Sequence, residues 1–214
     1  MIVADNGAFT LRIGLADSDE PLCLPNQVAR VRGDLKELVA DECEAQGLAH
    51  HGQLEYKRPH SRGLMVDCQT EEKIWERAIG RLNVTKRENL VVTESPLVPQ
   101  AIALDMDELY FERLGFSHVA RMPPCSACAL DYCQRNPQSN FSQATCRTVV
   151  DVGYSVTWIC PILGATLIPS SARRLDIGGK LLTNLLKEEV TWRHFNLMDE
   201  THLVEKMKRD TCFM

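Results

Sequence analysis

The chain has 214 residues, 44% hydrophobic and 25% charged, with 12 glycines and 10 prolines, a globular composition that excludes collagen-like, low-complexity and wholly disordered classes. Its formal charge of −5 provides no net positive field toward nucleic acid or anionic lipid, so direct sequence-specific DNA binding is not expected. Apolar runs such as Leu90-Val91-Val92 break within a few residues, far short of the roughly 20 that a membrane helix needs, so no membrane partner is expected. The opening residues carry no signal-peptide pattern, and the nine cysteines are an odd count, which together point to an intracellular chain with free thiols.

Ile2-Val3-Ala4, the pair Asn6-Gly7 and the alternation Phe9, Leu11, Ile13, Leu15 predict a β-hairpin, with Asn-Gly expected to supply positive φ. From Pro25 to His60 the chain is polar and broken by Gly and Pro, which predicts a small mobile lobe at about 26–60 with only short strand pieces around Leu54 and Tyr56. Asp67 reads as the N-cap of a helix carrying Ile74, Trp75, Ala78, Ile79 and Leu82 and ending near Asn83. Leu90 to Thr93 is a strand, Gln100 to Gly115 a helix with Leu104, Leu109 and Phe111 on its apolar side, Val119 a short strand, and Leu130 to Tyr132 part of a brief helix.

Gln134 to Gln143 is the clearest loop, so residues 1–133 are expected to form a first domain and 134–146 a linker, with 147–214 beginning a second. In that second part Thr148 to Asp151, Val156 to Cys160 and Ala165 to Ile168 read as strands, and helices follow Gly178-Gly179 and run from Met198 to Lys208. Strands alternating with helices imply a layered α/β fold.

The informative feature is an internal similarity. Asp5-Asn6-Gly7-Ala8-Phe9-Thr10-Leu11-Arg12 and Asp151-Val152-Gly153-Tyr154-Ser155-Val156-Thr157-Trp158 are both strand, Asp-x-Gly turn, strand. Their separation is too long for a solenoid period, so two related domains are implied. A tight turn exposes successive backbone N–H groups that hold anions, and an Asp at its foot can hold a hydrated Mg²⁺, so facing turns would grip a nucleotide's phosphates from both sides. The plainer reading of either copy alone is a common hairpin turn. Two copies, with Gly178-Gly179 opening a helix after the second, favour the phosphate reading.

Asp5-Asn6-Gly7, Pro25-Asn26, Arg62-Gly63-Leu64, Glu72-Lys73-Ile74-Trp75, Thr93-Glu94-Ser95-Pro96-Leu97, Asp151 with Gly153, Gly178-Gly179-Lys180-Leu181-Leu182-Thr183-Asn184 and Met198-Asp199-Glu200-Thr201 run along nearly the whole chain. In these the chain resembles the actin superfamily, and within it a nuclear actin-related subfamily. The resemblance implies a duplicated, ribonuclease-H-like α/β fold whose two hairpins are phosphate loops at a cleft. It places Asp5, Asn6, Gly7, Ala8, Phe9, Arg12, Asp151, Gly153, Tyr154, Ser155 and Val156 around the phosphates and Gly179, Lys208 and Arg209 on the nucleoside side. Asp5 and Asp151 would hold Mg through water, and the ligand would be ATP or ADP with Mg.

The resemblance further implies a scaffold subunit of a Swr-type chromatin remodeller that exchanges a variant histone. Such a subunit would dock on the remodelling ATPase and a zinc-HIT subunit and meet histones or the nucleosome indirectly, in the nucleus and also the cytoplasm. Hydrolysing relatives position their attacking water with a Gln at the cleft base and a His in the second hairpin. Pro124 and Trp158 stand at those positions, and neither can orient that water or take its proton, so no ATPase activity is expected. The alternative is an ATP-hydrolysing, filament-forming relative. Arg12 replaces a clamping Lys, Tyr154 an acidic residue and Arg209 a ribose-binding Glu. The family fold is longer than this chain, so the second domain is expected to be incomplete and the chain truncated.

Other features have duller readings. Cys125-Ser126-Ala127-Cys128 has the spacing for two zinc thiolates, but the onward spacings to Cys133 and Cys146 are irregular, and buried thiols are expected. His50-His51 reads as solvated loop, Glu71-Glu72 and Asp107-Glu108 as solvated charge, Arg173-Arg174 as a surface pair and Trp75 as core.

Overall fold

The computed structural model describes residues 1–33, 36–47, 54–84, 86–136, 146–193 and 196–213. The opening hairpin forms as β1 (Ile2–Asn6) and β2 (Thr10–Leu15), with β3 (Leu22–Pro25) beside β2. Alternation buries Ile2 and Ala4 of β1 and Leu11 and Ile13 of β2 on one face.

Between β3 and the next helix of the main core lies the small lobe. Among the described residues it carries more regular structure than its polar composition predicts. Strands β4 (Val28–Val31), β5 (Glu37–Val39) and β6 (Leu54–Lys57) form a sheet of order β5-β4-β6, with α1 (Asp41–Gly47) alongside. Ala29, Leu38 and Cys43 make a separate small core under Leu54 and Tyr56. Three fully buried side chains are enough to order short strands that composition averages away. His50-His51 lie outside the described residues.

A short hairpin, β7 (His60–Ser61) and β8 (Leu64–Met65), leads to α2 (Cys68–Arg81). Asp67 caps α2 as expected, accepting from the Thr70 amide. Ile74, Trp75, Ala78 and Ile79, at helical spacing, pack on the sheet. Strand β9 (Asn89–Thr93) runs parallel to β1, and β10 (His118–Met122) parallel to β9, giving a mixed sheet of order β10-β9-β1-β2-β3. Between them α3 (Gln100–Asp107) passes directly into a π-helical turn, Glu108–Arg113. The wider turn rephases the chain, burying Leu109 and Tyr110 while Phe111, expected inward, faces solvent; Leu104, also expected inward, lies on the outer face of α3.

Helix α4 (Pro124–Arg135) lies at the expected domain limit and packs toward the second half. Its Cys125 and Ala129 share a core with Val156, Trp158, Cys160, Ile162 and Ala172 of the second half. The second core therefore draws on residues from Cys125 onward. The proposed linker at 134–146 is mostly outside the described residues, and Cys146 already belongs to β11 (Cys146–Val152). With β12 (Thr157–Leu163), β13 (Thr166–Leu167) and β14 (Arg173–Leu175) it forms the second sheet, β12 pairing with all three. Helices α5 (Gly179–Arg193) and α6 (Thr201–Thr211) pack on each other. Val150, Val152, Leu181, Leu182, Leu185 and Trp192 leave an apolar surface on β11 and α5, Trp192 being 89% exposed.

Because Ile74 is wholly buried in the first core and Leu104 is exposed, Ile74→Ala is expected to lower unfolding free energy by about 2–5 kcal/mol and Leu104→Ala by no more than about 0.5 kcal/mol. Urea denaturation of the two variants checks this ordering.

Candidate functional site: a cleft between two hairpins

The two Asp-x-Gly turns have the same register. Asp5 pairs with Arg12 and Asn6 with Leu11; Asp151 pairs with Trp158 and Val152 with Thr157. Each hairpin closes over four residues, Gly7 to Thr10 and Gly153 to Val156. The reason for glycine differs from the expected one. Neither Gly7 nor Gly153 has positive φ. A Cβ would lie 2.9 Å from the Thr10 carbonyl oxygen in the first turn and 2.9 Å from the Val156 carbonyl oxygen in the second. Steric closure of the turn, rather than backbone handedness, demands glycine in both places.

Both turns face one cavity of about 820 Å³ between the halves of the chain. All of the sequence-selected residues line it: Asp5 through Phe9 and Arg12, Asp151 and Gly153 to Val156, and Gly179, Lys208 and Arg209. Pro124 and Trp158 also line it. Trp158 is largely buried and its indole N–H donates to Ser95 Oγ at 3.1 Å across the cleft floor.

The charged groups are not idle. Thr93 Oγ1 donates to Asp5 Oδ1 at 2.6 Å and accepts from the Asn6 amide, while Arg12 pairs with Asp5 Oδ2 at 2.9 Å. Burial, and then the neighbouring charge of Asp5, raise the Asp151 carboxyl above its ordinary range. Two carboxylates beside glycine turns suit a hydrated divalent cation, so the donor set fits Mg with phosphate at this point. Lys208 is less available. Its ammonium donates to the Gly179 carbonyl, Thr183 Oγ1 and Glu205 Oε2 at 2.8–3.0 Å. Arg209 lies over the Phe9 ring at 5.3 Å.

Among the described residues no three His, Cys, Asp or Glu side chains gather as a metal site. Cys125 is buried while Cys128 is exposed.

A profile of the actin family, described as Actin, matches residues 1–213. The chain belongs to the actin family. It is 36% identical to Actin-related protein 6 of Oryza sativa, over all of this chain and 50% of that protein. Identity is 30% to Actin-related protein 6 of Drosophila melanogaster, over 100% of this chain and 54% of the other. It is 33% to Actin-like protein ARP6 of Cryptococcus neoformans, over 99% and 43%. The chain spans about half the length of the curated relatives it matches. Its mixed α/β architecture, with a sheet and a glycine turn in each half, agrees with this membership.

Sequence reasoning missed the layer beneath the first turn of this actin-family cleft. Asn26 donates to Asn6 Oδ1 at 3.1 Å and to the Gly7 carbonyl at 2.9 Å, tying the turn to the start of the small lobe. Below it, Glu71 is fully buried and accepts from Trp75 Nε1 at 2.9 Å, which corrects its reading as solvated charge. Adjacency to Glu72 hid this, because neighbours on a helix point different ways and only Glu71 shares the inward face of Ile74, Trp75 and Ala78. Among the described residues its Oε2, His60 Nδ1 at 3.8 Å from it and Tyr110 Oη make no hydrogen bond of ordinary geometry. Burial pushes the Glu71 carboxyl up to about 7, despite nearby Trp75, Asn6 and Asn26 donors. Burial and then the Arg58 charge push His60 down to about 4.

These shifts have opposite signs in stability. Glu71 favours the folded state when protonated, a contribution complete below pH 4.5 and lost as pH rises through 7. His60 favours it when neutral, a contribution complete above 6.5 and lost as pH falls through 4. Between about 4.5 and 6.5 the two slopes offset each other. Glu71→Gln is therefore expected to make stability rise with pH from 4 to 6.5, and His60→Gln to make it fall from 4.5 to 7. Urea midpoints across that range, compared with the unmodified chain, provide the check.

Proposed function

We propose that this chain is part of a non-hydrolysing actin-related scaffold protein of a Swr-type chromatin remodeller, in which the cleft holds ATP or ADP with Mg for stability rather than for turnover. The carrying observation is the pair of equivalent glycine turns on one cavity whose floor is closed by Trp158 and Pro124. Phosphoryl transfer to water needs a group that orients the water and accepts its proton. Pro124 has neither capability, and the one polar hydrogen of the Trp158 side chain is directed at Ser95. Backbone amides of Gly7 to Phe9 and Tyr154 to Val156 would face the phosphates, the Gly153 amide being bound to the Val156 carbonyl, with Asp5 and Asp151 toward the metal's water shell.

The remodeller assignment rests on likeness to proteins named Actin-related protein 6. In that assignment the partners are the remodelling ATPase and a zinc-HIT subunit, the nucleosome is met through them, and the chain works in the nucleus and also the cytoplasm. The negative charge of −5 supports docking on proteins over direct DNA contact.

Two measurements on the purified chain test the nucleotide part together. MgATP is expected to raise the melting temperature, as any ligand preferring the folded state does, while phosphate release stays at the level of a protein-free control. Steady turnover would replace the scaffold with the hydrolysing-filament reading. Failure to co-purify with the ATPase and zinc-HIT subunits on co-expression would remove the remodeller assignment.

A further inference from the structure

Phe9 and Tyr154, one from each turn, meet across the cleft. Their ring centroids are 4.8 Å apart with planes at 47°. The Arg58 guanidinium sits 4.2 Å above the Phe9 ring and 5.2 Å from that of Tyr154, and donates to the Phe9 carbonyl at 3.2 Å and the Asn26 carbonyl at 3.4 Å. Arg58 directly follows β6, so one stack joins the small lobe, the first turn and the second turn.

From this geometry we infer that Phe9, Tyr154 and Arg58 decide what the cleft admits: the stack is its ligand-free closure, and a nucleotide's phosphates must displace it. The inference rests on the nucleotide reading above. The space between the tips of two facing turns is where a phosphate chain would meet the amides of both, and here two aromatic rings fill it. The stack also holds a charge in reserve. Among the described residues Arg58 makes no ion pair, and burial lowers its pKa. An arriving polyphosphate would add direct counter-charge to what the ring faces, the Tyr154 hydroxyl and the Glu205 carboxylate supply. Sequence reasoning placed Phe9 and Tyr154 at the phosphates but gave no role to Arg58, whose cationic head is brought there only by the fold of the small lobe.

The test uses the 214-residue chain with Phe9→Ala, Tyr154→Ala, the double variant and Tyr154→Phe, which keeps the ring. MgADP affinity is measured by calorimetry, and melting temperature is measured without ligand. Loss of one ring is expected to tighten MgADP binding roughly tenfold, the scale of an aromatic contact expressed as an equilibrium, while Tyr154→Phe, which loses only the hydroxyl beside Arg58, tightens it by less. Without ligand, the double variant should lose less melting temperature than the two single losses added. Unchanged or weaker MgADP binding in both Ala variants, with additive melting losses, overturns the closure and leaves the nucleotide reading standing. No MgADP binding by any form, the double Ala variant included, removes the nucleotide reading and the closure that rests on it.

Discussion

The site depends on two halves of the chain staying face to face across a cleft that neither half can form alone. A few contacts hold them. On the floor the Trp158 indole reaches Ser95 at 3.1 Å; at the side Arg174 donates to the Arg62 carbonyl at 2.7 Å, and Gly63, at φ 78°, leaves no more than 3.0 Å between a would-be Cβ and Val156. At the mouth the rings of Phe9 and Tyr154 meet, and beyond them Tyr56 of the small lobe stacks on His202 of α6 at 4.2 Å. A single neutral hydrogen bond contributes only about 0.5–1.5 kcal/mol net, and an aromatic pair a similar amount. No one contact fixes the cleft. Relative motion of the halves is the default for such an interface, and a ligand touching both turns would restrict it.

The charges of the cleft are arranged in short circuits. Asp5 is shared between Arg12 and Thr93, and Lys208 between Glu205, Thr183 and a carbonyl. Arg12 is half exposed, so its pairing with Asp5 is a weak contact that a phosphate can take over. Lys208 is mostly buried beside a buried Glu205. Removing it from that carboxylate would leave an uncompensated buried charge, a far larger cost. Arg12 is thus the mobile cation of the cleft and Lys208 a structural one, though sequence likeness gave both to the nucleotide.

The two hairpins were legible from sequence because their signals are local: alternation sets the strands and Asp-x-Gly sets the turn. Their meeting was legible only as a consequence of repetition and family likeness, since nothing in either hairpin specifies its partner. What stayed hidden shares one property, that it depends on which face a residue presents after folding. Glu71 looks like any surface acid until the helix phase puts it beside Trp75. Arg58 looks like part of a polar loop until three short strands swing it over Phe9. Helix α4 carries no mark in its own sequence of the sheet it will cover; that choice is made by Cys125 and Ala129 meeting Trp158 and Cys160.

The two turns are equivalent in register but not in support, and the difference has mechanical consequences. Mostly side chains hold the first: Asn26 binds its Asn6 and Gly7, Thr93 binds its Asp5 and Asn6, and Glu71 lies below, with one backbone bond from the Asn26 amide to the Phe9 carbonyl at 2.8 Å. Backbone holds the second. The Gly179 amide donates to the Gly153 carbonyl at 3.1 Å and the Lys180 amide to the Tyr154 carbonyl at 2.8 Å, so the start of α5 is stitched onto the turn. Gly178 is packed so closely that a Cβ there would lie 2.7 Å from the Tyr154 carbonyl oxygen. The first turn is therefore anchored in the main core, while the second travels with α5, whose outer face carries exposed Leu181, Leu182, Leu185 and Trp192. Two peptide hydrogen bonds of 2.8–3.1 Å and an approach with no room for a methyl group fix Tyr154 to the start of α5, so its place opposite Phe9 is set by that helix as much as by its own hairpin.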